Sequence, residues 1–218
     1  MNKYSHSIIS GYAGAIGSIQ FIVISIIAMF FYGGGTPWDP SAEGYTFWQN
    51  FLSDLGRTVA YNGVENTVSS PLFNFCLGMY GVTLVLFYSA SFRLFSTLLG
   101  YLITIAGIIS GIGMFIIALA PDNILPDLHM QGVWIWALSL LVVSIFIIIH
   151  DVSSKEGKQP FVILSIIMAL AVAYHISQGF VDVRGPLVAA TQKVVVYLNC
   201  GWYLYLSRRM INKVNTEL

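Results

Sequence analysis

Six long apolar runs alternate with polar connections along the chain, at 8–32, 71–89, 97–120, 132–149, 161–180 and 187–206. Each is close to the roughly 17–25 residues that a helix needs to cross a bilayer. The pattern predicts an all-α fold, a single membrane domain over 1–218 built as a bundle of six transmembrane helices. The first run is too long for the apolar region of a typical secretory leader and lacks a small-x-small cleavage site, so it is expected to stay as an anchor.

Composition agrees with that pattern. Hydrophobic residues make up 56% of the chain and charged residues 9%, whereas soluble proteins carry roughly 25% charged residues. Too little charge is present to clothe a soluble domain of this size, and lipid is the solvent that removes the conflict. The formal net charge is zero. The bilayer is therefore the expected partner, and nucleic acid is not. Cys76 and Cys200 fall at depths that differ by roughly 12 Å at ~1.5 Å per helical residue, beyond the reach of a disulfide. Two free thiols are predicted.

Lys and Arg set the expected orientation. With the N-terminus inside, Lys3, Arg93, Lys155, Lys158, Arg208, Arg209 and Lys213 are cytoplasmic, and only Arg57, Arg184 and Lys193 lie on the other side. Both termini of a multi-pass protein of the cell membrane are thus expected in the cytoplasm. Trp38, Trp48, Trp134 and Trp136 outside, and Trp202, Tyr203 and Tyr205 inside, are candidates for interfacial belts. Gly107 and Gly111 form a GxxxG, and Gly11, Gly14 and Gly17 line the first run. These are read as close packing within one chain, and no oligomeric state is assigned.

The longest connection joins the first two spans, and long loops in compact proteins usually have structure or a role. Gly33, Gly34, Gly35 and Pro37 end the first helix. Beyond Asp39 and Ser41, the residues Trp48, Phe51, Leu52 and Leu55 recur at helical spacing, which predicts a short interfacial helix ending at Gly56. Tyr61-Asn62-Gly63 is a turn signal, and Ser70-Pro71 suits the start of the second span.

The stretch Asn50-Phe51-Leu52-Ser53-Asp54-Leu55-Gly56-Arg57-Thr58, followed by Asn66, Ser69-Ser70 and Leu72-Phe73-Asn74, resembles the prokaryotic membrane family catalogued as domain of unknown function 998. Its Ser-Asp-x-Gly element is also distantly similar to one in the damage-regulated autophagy modulators. Pro121-Asp122, Leu128-His129, Gln192-Lys193, Tyr197 and Trp202 fit the same layout. The resemblance implies a six-helix membrane fold and no particular activity.

Ionisable groups within spans cost about 2.5–3.5 kcal/mol each at the helix centre, so their placement carries information. His175, Gln178 and Asp182 fall on one stripe at the outer end of span five, with Arg184 just beyond. Gln192 and Lys193 enter the outer half of span six, Asn74 lies a turn inside span two, and His129 and Gln131 begin span four, preceded by Asp122 and Asp127. Asp54 and Arg57 would hang above them from the loop. One reading is an outward-facing polar pocket that binds a small ligand or lipid headgroup, with Arg57, Arg184 and Lys193 as cations for a zwitterionic or anionic group. The other is a set of snorkelling side chains and local pairs, Asp182–Arg184 and Asp54–Arg57 among them.

Two further activities fit the composition. The first is a membrane-embedded hydrolase or transferase with His175 as general base or metal ligand, and the second is half of a dimeric transporter. No metal or other cofactor is expected, because Asp127, His129, His175 and Asp182 come from separate elements and no closely spaced His pair exists. A haem between His129 and His175 is disfavoured by their different depths. A Ser53/His175/Asp182 set has no nucleophile-turn sequence around the serine. His150 and Asp151 are read as a solvated turn, and Gln20 as the maker of an interhelical hydrogen bond.

Overall fold

The computed structural model describes residues 3–95, 98–154, 159–181 and 185–217. It is all-helical, with no strand among the described residues. The helices are α1 (Lys3–Phe30), α2 (Ser69–Tyr88), the short α3 (Ser91–Leu94), α4 (Leu98–Leu119), α5 (Pro126–Ser154), α6 (Gln159–Phe180) and α7 (Pro186–Glu217). Five of them, α1, α2, α4, α5 and α6, are long and apolar enough to cross a membrane. α7 is long but less apolar overall, because its C-terminal part runs into Arg208, Arg209, Asn212 and Lys213.

The six long helices close into a ring in chain order, α1–α2–α4–α5–α6–α7 and back to α1. Small residues set the tightest crossings. A Cβ on Gly81 of α2 would stand 2.8 Å from the Gly111 carbonyl of α4, and one on Gly113 would stand 2.6 Å from the Trp136 amide of α5. Gly111 therefore serves packing inside this chain, where van der Waals contact replaces the hydrophobic drive that is absent between helices in lipid.

Aromatic side chains fill the middle of the ring. Phe21 stacks on Tyr80, and Tyr203 meets Tyr80, Phe87 and Tyr88 edge-on, the geometry that ring quadrupoles favour. Their polar tips are satisfied, with Tyr80 donating to Asn199 at 3.0 Å and Tyr203 bonded to Tyr88. Gln20 of α1 donates to the Cys76 carbonyl of α2 at 2.9 Å. Both cysteines are free and buried. Outward, Ile9, Ile16 and Val23 of α1, Ile105 and Ile112 of α4, and Leu138 and Ile145 of α5 are exposed. Apolar surface of that extent marks contact with lipid.

Three expectations change. Trp136, Trp202 and Tyr203 are buried in the core and are not interfacial; the Trp202 indole N–H donates to Ser165 across to α6. His150 and Asp151 are buried, not solvated. His150 contacts Asp151 at 3.0 Å, and the same carboxylate accepts two bonds from Arg209 of α7 at 2.6 and 2.9 Å. The long loop is not an amphipathic helix on the membrane surface; only Leu52–Gly56 is helical, as one 3₁₀ turn.

That third difference has a local cause. The Asn50 side chain accepts the Thr46 amide and donates to the Gly35 carbonyl and to Asp54, bonds that compete with helix formation. Gly34 and Gly35, at φ +120° and +80°, turn the chain back at the end of α1. Leu52 and Leu55 then point into the bundle and are buried, while Trp48 stays exposed.

Candidate functional site

The folded loop is held by the residues of the Asn50–Asn74 region. One Asp54 oxygen accepts the Phe51 amide at 2.8 Å and the Asn50 side chain at 3.0 Å. Asn66 donates to the Leu55 and Arg57 carbonyls, Ser69 to Leu55, and both Ser70 and Asn74 to Gly56. A side chain at position 56 would collide with Asn74 and Phe73. The polar residues of this motif thus satisfy backbone groups that burial would otherwise leave orphaned. Burial pushes the Asp54 carboxyl up to about 7, with Asp122 adding and the Asn50 bond opposing.

α7 grips the same loop. Gln192 accepts the Leu52 amide at 2.6 Å. Lys193 donates to the Asn50 carbonyl and, at 2.9 Å, to Ala189 of its own helix. Only 1% of Lys193 is exposed, and its ammonium also lies 5.5 Å from the Phe47 ring centre.

Beneath this roof, between α5, α6 and α7, lies a cavity of about 380 Å³. α5 contributes Pro126, His129, Met130, Val133, Trp134 and Ala137; α6 contributes His175, Ile176 and Gly179; α7 contributes Val188 and Gln192. Phe51, Ser53 and Tyr61 come from the loop, and Asp122 from the α4–α5 connection. A second, deeper void of about 40 Å³ shares Ser53, His129, Val133 and Gln192 with the first. Three of the four shared residues, Ser53, His129 and Gln192, are polar, and much of the remaining wall is apolar.

Each imidazole is oriented by its own helix or a neighbour. His129 Nδ1 lies 2.8 Å from the Ala120 carbonyl. His175 Nδ1 lies 3.2 Å from the Thr191 hydroxyl, which in turn reaches the Gln178 carbonyl oxygen at 2.6 Å. Arg57 binds both oxygens of Asp122, at 2.9 and 3.1 Å, and its guanidinium lies 4.0 Å from the Tyr61 ring centre. Burial raises the Tyr61 phenol above its ordinary range.

Of the sequence candidates, His129, His175 and Gln192 line the cavity, and Arg57 reaches its rim through Asp122. Gln178 is buried beside His175, and its amide nitrogen has no partner among the described residues. Asp54, Asn74 and Lys193 belong to the roof's framework and not to the cavity wall. Asp182 and Arg184 lie outside the described residues. Sequence reasoning gave no binding role to Ser53, Tyr61 or Trp134. Ser53 stands within the resemblance motif and lines the cavity, and among the described residues its hydroxyl makes no bond of the kind by which Ser69 and Ser70 hold the loop. Among the described residues, no group of three or more His, Cys, Asp and Glu is placed to hold a metal.

No protein-family model matches the chain, and no curated protein or solved structure matches it.

Proposed function

We propose that this is a six-span membrane protein that binds an amphiphile, a lipid with a polar head, in the cavity between α5, α6 and α7. The observation that carries this reading is the division of that cavity. Met130, Val133, Ala137, Ile176 and Val188 make a greasy wall, and Ser53, His129, His175 and Gln192 gather polar atoms under the loop. Ligand sites are mostly apolar concavities in which a few convergent polar groups fix orientation. α7 would be the sixth span, since it completes the ring between α6 and α1. The loop would face outward from the cell membrane and both termini the cytoplasm, as the Lys and Arg positions favour. Membership of the family catalogued as domain of unknown function 998 belongs to the same proposal.

A second reading is a lipid hydrolase or transferase. It is favoured by Ser53 and His129 lying on the same two voids, where a hydroxyl and an imidazole can act on an ester carried into the site. The transporter reading has less support, because buried aromatic rings pack the centre of the bundle.

Native mass spectrometry of the gently extracted protein tests the binding reading. A lipid-sized adduct should be carried by the wild type and lost in Ala137→Leu, which fills the cavity. Equal adducts on both proteins would overturn it.

A further inference from the structure

We infer that the head accepted by this cavity is an uncharged alcohol, as in an acylglycerol, and not a phosphate. The inference rests on the proposed reading of the cavity as a lipid site and narrows its ligand.

Hydrogen-bond polarity at the cavity carries the argument. The Ala120 carbonyl can only accept, so His129 Nδ1 must bear the proton in their 2.8 Å bond. In the neutral ring that leaves Nε2 as a bare acceptor. The same logic reaches His175. The single proton of the Thr191 hydroxyl goes to Gln178 Oε1 at 2.6 Å or to the Val188 carbonyl at 2.9 Å. His175 Nδ1 therefore donates to Thr191, and its Nε2 is again left bare. Gln192 uses Oε1 on the Leu52 amide, which leaves its NH₂ as a donor. The Ser53 hydroxyl can give or take. A lone alcohol needs this set: an acceptor for its proton and a donor for its oxygen.

A phosphate needs the opposite. It brings acceptors and negative charge, and such groups are held by Arg or Lys. Arg57, which reaches the rim of the cavity, already binds both oxygens of Asp122, a lining residue. Lys193 is turned to the Asn50 and Ala189 carbonyls. With both rings neutral, a phosphate would then face two imidazole lone pairs and a carboxylate. An alcohol would leave no buried charge to balance.

The test uses the full chain in nanodiscs and the fluorescence of Trp134, which lines the cavity. Dioleoylglycerol and dioleoyl phosphatidate, each brominated on the acyl chains, serve as quenchers, and Trp134→Phe supplies the background. The expected result is half-maximal quenching of the wild type at an about tenfold lower mole fraction of the acylglycerol. That preference should shrink toward unity in His175→Leu, with His129→Gln as the second variant should the first fail to fold. Ala137→Leu should abolish quenching by both lipids. Stronger or equal quenching by the phosphatidate, still sensitive to Ala137→Leu, would overturn the alcohol assignment and leave the lipid site standing. Quenching unaffected by Ala137→Leu would remove the site itself.

Discussion

Gln192 and Leu52 are 140 positions apart, yet the amide oxygen of the first accepts the backbone N–H of the second at 2.6 Å. Together with the neighbouring Lys193–Asn50 bond, this contact fastens the roof of the cavity to α7. A roof that is held by side chains of a wall helix fixes the volume below it.

Gln192→Leu leaves the Leu52 N–H without a partner, at a cost of about 1–3 kcal/mol for a buried donor. The thermal midpoint in detergent should fall by several degrees. Hydrogen exchange should accelerate over 50–56 while the amides of α2 and α4 stay protected. Gln192→Glu keeps the acceptor and should behave like the wild type in the exchange measurement. Unchanged exchange in Gln192→Leu would show that the loop holds itself.

Asp54 makes stability depend on pH with a definite sign. Its carboxyl is raised to about 7 in the fold by burial, against about 3.9 in an unfolded chain. The folded state thus favours the protonated acid. This contribution is full below pH ~4 and is lost as pH rises toward about 7. The thermal midpoint, followed from pH 4 to 8, should decline across that window in the wild type and decline less in Asp54→Asn. A steeper decline in the variant would reverse the assignment.

At the end of the bundle away from the loop, Asp151 is held by Arg209 through two hydrogen bonds. Removing one member of a buried pair costs on the order of 3 kcal/mol, because the other charge is left behind. Asp151→Asn should therefore lower the thermal midpoint clearly. Asp151→Asn with Arg209→Met should recover part of the loss, since neither charge then remains. Equal midpoints for the single and double variants would show that the pair contributes little.

Helix identity was legible because apolar length is a local signal. The runs at 71–89 and 97–120 differ from α2 and α4 by only a residue or two at each end. α5 extends well past the run at 132–149 in both directions. Pro126 and Asp127 suit a helix start, but they lie outside the apolar window that defined the span. The readings that changed depended on partners distant in sequence. His150 and Asp151 look like a solvated turn until Arg209 arrives from α7. The periodicity of Trp48, Phe51, Leu52 and Leu55 is real, but Asn50 diverts the backbone into turns. Within the candidate site, the gathering of His129, His175 and Gln192 at one end of the bundle could be read from span positions. The division of labour between Gln192, on the cavity, and Lys193, on the loop, could not, because adjacent helical residues point about 100° apart and only packing decides which faces what.

The ring order of the helices bears on assembly. Every long helix up to α6 can settle against the one synthesised just before it, so most of the barrel-like wall needs only near neighbours. α7 is different, for it must touch both the most recent helix and the first. It also carries two of the side chains that pin the roof. The cavity can therefore acquire its final shape only when the last helix docks, and a chain interrupted before Gln192 would insert its earlier helices yet leave the chamber open on the side that α7 closes.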